Sequence, residues 1–407
     1  MHEGKNTSHG SKSVSSKGIR VLHCLRAPVG GLFRHVCDLA RVQRDFGYDV
    51  GIMCSDEPND ASTLDKLSHL DTFCSLGVER ISLGRLPGVS DMRALRTCSR
   101  LVRQLQPDVV HGHGAKGGLL ARLVRAETPI VRVYTPHGGS VHFSPSSLSG
   151  IVFGTAERLM MKRTDGLIFE SSFARNVFAA RFGSLPTTVS VVHNGLAPEE
   201  FEDVTSVPSA SDFVFLGELR ALKGVFTLIE AIALLSVKGP VSLALVGEGP
   251  DRAAVVEKIA SMNLTSQIRL LGAMPARGAF AQGQIVVMPS HHDSFPYVAL
   301  EAAAAGKPLV ATRTGGIPEI FGPLANSLVT PLDADALASA MYTQLNDPSG
   351  AHNAAAKLRT RVRSHFSINE MAKGVTNVYQ LATSSKFGQD AVAVPALGIR
   401  VKMDVVE

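Results

Sequence analysis

HHDSFPYVALEAAAAGKPLVAT, residues 291–312, holds two carboxylates, Asp293 and Glu301, eight positions apart with nothing charged between them. QIVVMPS just before it is apolar and reads as a strand, and PLVAT at its end reads as the next strand. Pro296 suits the first turn of a helix, where its missing N–H has no helical partner, and Gly306 and Pro308 close that helix. A strand, a helix and a strand at this spacing form one unit of a parallel sheet. Asp293 then falls in the loop before the helix, and Glu301 lies roughly 8 Å along its axis. The free amides and positive pole of the helix start, between the two acids, favour phosphate. A ligand with hydroxyls at both ends and phosphate in the middle, such as a nucleotide sugar, matches that pattern. Taken alone, the two acids also fit a pre-helix Asp and a solvated Glu.

The same alternation runs outward in both directions. FVFLGEL, a helix from about Val225, VSLALVGEG, IRLLGAM, QIVVMPS and PLVAT make one sheet within residues 210–364. GLAPEEFEDVTSVPSASD (195–212) has no period and reads as a linker. Ahead of it, IRVLHCL, YDVGIMC, PDVVHGHG, PIVRVYTPHGG, DGLIFES and TTVSVVHNG make a second sheet within residues 18–197. The first helix there, LFRHVCDLARVQRDF, puts Leu32, His35, Val36, Leu39, Val42 and Phe46 on one face. FSINEMAKGVTNVYQLA (366–382) is an amphipathic helix, residues 1–17 read as a disordered leader, and 383–407 as a tail. The expected class is α/β, with two doubly wound, Rossmann-like parallel-sheet domains facing a cleft. Ligands in such sheets sit outside the carboxyl ends of the strands.

Composition narrows the function. A net charge of +5, with the surplus in residues 1–200, suits an anionic partner or a plain solvated surface. No basic run interleaves with aromatics, which argues against nucleic acid. The five cysteines, all in the first quarter, lack metal spacing and read as reduced, mostly buried thiols of a cytosolic protein. The polar N-terminus is no secretory signal, and no stretch has the length of a membrane span.

Other charged and Gly-rich stretches fall at strand ends. FLGELRALKG (215–224) places Glu218, Arg220 and Lys223 there, where Arg forks and a Lys point charge clamp a diphosphate. Gly315 and Gly316 in RTGGIPEI, and Gly30 and Gly31 in PVGGLFRHV, allow backbone amides to approach a ligand. VGEGPDR (246–252) reads as a structural turn. In YTPHGG, His137 stands beside glycines at a strand end and is taken as functional; His111 and His113 are expected on opposite strand faces, so no metal site is expected. ERLMMKRTDG (157–166) mixes Leu159, Met160 and Met161 with Arg158, Lys162 and Arg163, a composition that fits a membrane-facing patch or a buried helix end.

Together these stretches resemble glycosyltransferase family 4, retaining enzymes of the GT-B fold, over residues 19–382. DSFPYVALEAAAAGKPLVAT resembles the family's most specific signature, two acids followed by LEA and a Gly-x-Pro strand. The resemblance implies that Asp293 holds donor-sugar hydroxyls and Glu301 the ribose. Ser294, the helix start at Phe295 and Tyr297, and the Gly-rich turn at Gly315 and Gly316 are then expected to bind the donor. The resemblance further implies a phosphate contact at Gly30 and Gly31, a cleft histidine at His137, and a diphosphate clamp at Arg220 and Lys223. FSINEMAKGVTNVY resembles the closing helix that crosses back onto the first domain. Asp293 stands where Glu is usual, SFP replaces Gly-Phe-Gly, and Glu218 takes the common Arg position.

The implied reaction moves a sugar from a nucleotide-diphosphate donor to an acceptor hydroxyl with retention, and needs neither cofactor nor metal. A saccharide or lipid-linked acceptor would dock on the first domain, in polysaccharide, lipopolysaccharide or glycolipid assembly. The implied location is cytoplasmic, with peripheral contact at the inner membrane face left open. Two other readings remain: a non-hydrolysing nucleotide-sugar epimerase, and an inactive nucleotide-sugar binder.

Overall fold

The computed structural model describes residues 18–84, 88–138, 148–183, 185–186 and 188–388; the expected leader 1–17 and residues 389–407 of the expected tail lie outside them. The first half runs β1 (Arg20–Cys24), α1 (Gly30–Asp45), β2 (Asp49–Ser55), α2 (Ala61–Asp71), β3 (Val78–Ile81) and α3 (Val89–Leu105). It continues with β4 (Val109–His113), α4 (Gly114–Leu123), β5 (Val131–Thr135), α5 (Leu148–Met161), β6 (Gly166–Phe169), α6 (Ser172–Phe182) and β7 (Thr188–Val191). In the second half come β8 (Ser211–Leu216), α7 (Val225–Ser236), β9 (Leu243–Val246), α8 (Arg252–Ser261), β10 (Ile268–Leu270), α9 (Ala276–Phe280) and β11 (Gly283–Met288). It ends with α10 (Tyr297–Ala304), β12 (Leu309–Ala311), α11 (Ile317–Phe321), α12 (Ala334–Asn346), α13 (Pro348–His365) and α14 (Ile368–Phe387).

Among the described residues, the first sheet has the order β3-β2-β1-β4-β5-β6-β7 and the second β10-β9-β8-β11-β12. All paired strands are parallel. Both sheets are covered on two faces, as parallel sheets require. Along β1, Val21 joins the core under α1 and α14, whereas Leu22 and Cys24 join the core under α3 and α4. Chain direction across each sheet reverses beside its first strand, between β1 and β4 and between β8 and β11. Crevices at such switch points are where doubly wound sheets bind ligands.

Three expectations change. Residues 195–212 are not a loose linker. Leu196 and Phe201 are buried in the second core, a 3-10 turn spans Pro198–Phe201, and β8 starts at Ser211. The tail begins later than expected, because α14 continues to Phe387 and its apolar face packs on the first half, against α1, β5, β6 and β7. Its entry is fastened where Ile368 N donates to Leu196 O and Leu196 N to Phe366 O, both at 2.9 Å. Gly195 is glycine because a Cβ there would lie 2.2 Å from Ser367 O. Finally, Pro296 is the N-cap of α10 rather than part of its first turn. The short β3 had no clear signal in the sequence, being half-exposed apart from Ile81.

The cysteines are free thiols, Cys24, Cys54, Cys74 and Cys98 buried and Cys37 partly so. No helix among the described residues is long and apolar enough to cross a membrane. In the 157–166 stretch, Met160 and Met161 are buried, and Glu157 forms a buried ion pair with Arg122 at 2.9 Å. Leu159 is its one exposed apolar side chain, so most of this stretch is a helix end in the core.

Candidate active site

Lys223 follows β8 and Asp293 follows β11, so each arrives at the second sheet's switch point from its own strand. Their side chains meet there: Lys223 Nζ donates to both carboxylate oxygens of Asp293, at 2.8 and 2.9 Å. The loop carrying Asp293 and Ser294 is held from below by Gly315 and Gly316. Gly316 N donates to Asp293 O at 3.3 Å. Gly315 has φ +57, and a Cβ on it would lie 1.4 Å from Asp293 O, so the close approach demands glycine. These glycines therefore shape the loop. Arg220 stands apart from that pair; its ion-pair partner is the exposed Glu218, at 3.9 Å, and Arg220 itself is half-buried.

Across the cleft, α1 begins at Gly30, whose φ of +69 suits glycine, and Gly31 faces Tyr297, its Cβ position being 3.6 Å from that ring. Glu301, the second acid of the opening stretch, faces the first half rather than solvent. It accepts from Arg34 of α1, which also bonds Glu200 and, at 3.3 Å, Asp38. The Arg34 guanidinium lies 4.3 Å over the Tyr297 ring. Burial opposes the Arg34 charge, but Glu301, Glu200 and Asp38 outweigh it and hold the guanidinium above its usual range. Burial, with Glu200 adding to it, holds the Glu301 carboxyl above its usual range against the pull of Arg34. Phe295 and Tyr297 are themselves buried, so the start of α10 offers backbone rather than side chains to the cleft.

The two halves also meet beside this loop. Asn194 Nδ2 donates to Phe295 O at 3.0 Å. Glu319 of α11 accepts from the N–H groups of Ser172 and Phe173, both at 2.9 Å, at the N-terminus of α6, and bonds His193 at 3.1 Å. Glu170, at the end of β6, is buried beside Ser294. Burial pushes its carboxyl up to about 7, against its own backbone N–H and the Ser294 hydroxyl.

The first sheet's switch point holds histidines. His111 and His113 are two apart on β4 and share a face, with ring centroids 4.0 Å apart, which corrects the expectation of opposite faces. Alternation in a strand separates neighbours, not residues two apart. His23 of β1, His35 of α1 and His137 after β5 complete the cluster. His137 thus joins the other histidines, and its hydrogen bond is to His113 Nδ1, at 3.2 Å.

Arg34, Glu170, Asn194, Glu200, Glu319, His23 and His35 were not singled out from the sequence. One signal was present: His35 stood on the apolar face of its helix, where a polar group needs a reason.

The chain matches two family descriptions, Glycosyltransferase Family 4 over residues 29–200 and Glycosyl transferases group 1 over residues 210–347. It is 26% identical to a glycogen synthase of Mycobacterium tuberculosis over 382 residues, 87% of this chain and 92% of that one. Its structure is similar to sucrose-phosphate synthase from Thermosynechococcus elongatus, with a TM-score of 0.75, 20% identity, and coverage of 90% and 100% of the two chains. It is also similar to Anabaena HepE in complex with UDP and glucose, with a TM-score of 0.70, 18% identity, and coverage of 88% and 98%.

Proposed function

This chain belongs to glycosyltransferase family 4, and from that premise we propose that it moves a sugar from a nucleotide-diphosphate donor to an acceptor hydroxyl with retention of configuration. The fold is the two-domain α/β architecture of GT-B glycosyltransferases, and the chain is a glycosyltransferase of glycoconjugate or polysaccharide synthesis. The observation that carries the donor assignment is the Lys223–Asp293 pair at the switch point between β8 and β11. A cation and a carboxylate sit there side by side, fit to meet the diphosphate and the sugar of a donor.

In this reading the donor lies along the loop before α10. Departure of the nucleoside diphosphate builds negative charge beside an oxocarbenium-like sugar. Lys223, Arg220, the Gly31 amide and the first amides of α10 stabilise that charge, so no metal is assigned to the diphosphate. Asp293 and His137 face the sugar end. The ribose hydroxyls take Glu301 in exchange for part of its bond to Arg34. The acceptor, a saccharide or lipid-linked saccharide, docks on the first half. Contact with a membrane surface rests on Leu159 flanked by Lys162 and Arg163, all exposed.

The test is a thermal-shift panel of UDP, GDP, ADP and their sugars on the wild type and on Glu301→Ala, followed by anomeric NMR of the product. A ligand at about 100 times its dissociation constant adds roughly 2.7 kcal/mol to stability. Stabilisation by one nucleotide that is lost in Glu301→Ala, with a retained anomer in the product, supports the proposal. No shift with any nucleotide sinks it. Epimerised nucleotide sugar formed without acceptor would turn the assignment to an epimerase.

A further inference from the structure

The histidine cluster has a fixed pattern of protons. Gln43 Nε2 donates to the Tyr379 hydroxyl at 3.3 Å, so Gln43 Oε1 faces His23 Nε2 at 2.8 Å and takes a proton from it. His23 Nδ1 is left with a lone pair, and it accepts from His113 Nε2 at 3.0 Å. His113 Nδ1 therefore carries a lone pair as well. The second line starts at Asn194. Its Nδ2 donates to Phe295 O, so its Oδ1 faces His35 Nδ1 at 3.0 Å and accepts the proton there. His35 Nε2 is thus also a lone pair, fully buried and without a hydrogen-bond partner.

Both lone pairs belong to rings that pack together, with the His35 ring centroid 5.7 Å from that of His113 and 5.0 Å from that of His137. One ring nitrogen from each of His35, His113 and His137 lies within 4.8 Å of the other two, and His113 Nδ1 is 3.2 Å from His137 Nε2. Two imidazoles bound tetrahedrally to one zinc ion at 2.0–2.1 Å have nitrogens roughly 3.3 Å apart. A proton on His137 Nε2 satisfies His113 and leaves the buried His35 lone pair without a donor, an unfavourable state for a buried polar atom. A cation satisfies all three nitrogens.

We propose that His35, His113 and His137 form a binding site for a single imidazole-preferring transition-metal cation of the Zn2+ class. Neutral nitrogen ligands select Zn2+, Cu2+, Ni2+ or Co2+ over Mg2+ and Ca2+. Asn194 and His23 act as outer partners that orient His35 and His113, the arrangement usual behind metal-bound histidines. Three protein ligands leave a fourth position for water or another small ligand, and His137 is the one of the three that is only half-buried. The site shares His137 with the sugar end of the proposed donor site, and its test, a metal titration, requires no turnover.

The test uses tag-free, full-length protein stripped of metal with a chelator and then freed of chelator. Zn2+ is titrated by calorimetry, and Co2+ by the visible absorption of a tetrahedral nitrogen site. The proposal expects one equivalent of Zn2+ bound at micromolar concentration or tighter, with Co2+ bands to match. His35→Gln and His137→Gln are each expected to weaken binding at least about tenfold, and Asn194→Ala about tenfold or more through His35. His69→Gln, on exposed α2 outside the cluster, is expected to leave it unchanged. Metal-free melting of each variant separates loss of ligand from loss of fold. Absence of Zn2+ binding by the wild type overturns the proposal. So does binding unchanged in both His35→Gln and His137→Gln, which would place the ion on thiols or surface groups.

Discussion

Lys223 bonds both carboxylate oxygens of Asp293, and in the proposed function it stabilises the charge that develops on the leaving diphosphate. Lys223→Ala is expected to lower kcat by about 10²–10³-fold, the cost of one lost charge-stabilising donor, with little change in melting temperature. Steady-state kinetics with the donor found in the panel checks this. Glu170 behaves differently, because its carboxyl is held up to about 7 by burial, above its value in the unfolded chain. Such an acid contributes stability that is full below about pH 4.5 and is lost as pH rises through 7, since the unfolded chain releases its proton first. The stability of the wild type relative to Glu170→Gln is therefore expected to fall by on the order of 3 kcal/mol between pH 4.5 and pH 8. Urea unfolding of both proteins across that range measures it, and a flat difference refutes the assignment. At this scale the sequence was legible where a motif carried the residue, as for Asp293, Lys223 and Glu301. It was silent on Glu170, an acid at the end of an apolar strand with no partner nearby in the chain.

Elements were read best where their pattern is local. The strands of both sheets announced themselves as apolar runs bounded by Gly and Pro, and α1 and α14 as amphipathic helices, because burial on one face imposes a period that neighbours in sequence share. Short or half-exposed elements carry no such period: β3 leaves no signal in the sequence, and the 3-10 turn at Pro198–Phe201 reads there as linker. Caps supplied from elsewhere in the chain were equally hidden. The N-terminus of α6 takes Ser171 as its own cap, at 3.0 Å from Ala174 N, while its next two free N–H groups are taken by Glu319 from the other half. Glu319→Ala is expected to cost about 1 kcal/mol and to lower the melting temperature by about 2–4 °C, as loss of a capping acceptor does. Calorimetry decides it, and an unchanged melting temperature would mean that water replaces the carboxylate without loss.

Across the whole molecule, two sheets built alike are locked by a few long-range polar contacts: Arg34 with Glu301, Asn194 with Phe295 O, and Glu319 with the start of α6. The α14 helix, which follows the second half but packs on the first, closes the arrangement. If these contacts couple the halves, the Arg34→Ala/Glu319→Ala double variant unfolds in two steps, with a van't Hoff enthalpy below the calorimetric one, whereas the wild type unfolds in one. A single sharp transition in the double variant would assign the coupling to α14 and the apolar junction instead. The amino-acid sequence by itself determined the α/β alternation, the two parallel sheets and the placing of the Gly-rich and charged motifs at strand ends, because hydrophobic period and turn residues are local properties. Only the tertiary structure decided that Glu301 meets Arg34 and that five histidines from β1, β4, α1 and the turn after β5 form one cluster. Those meetings depend on strand order and on how the halves close, and neither is written in any local period.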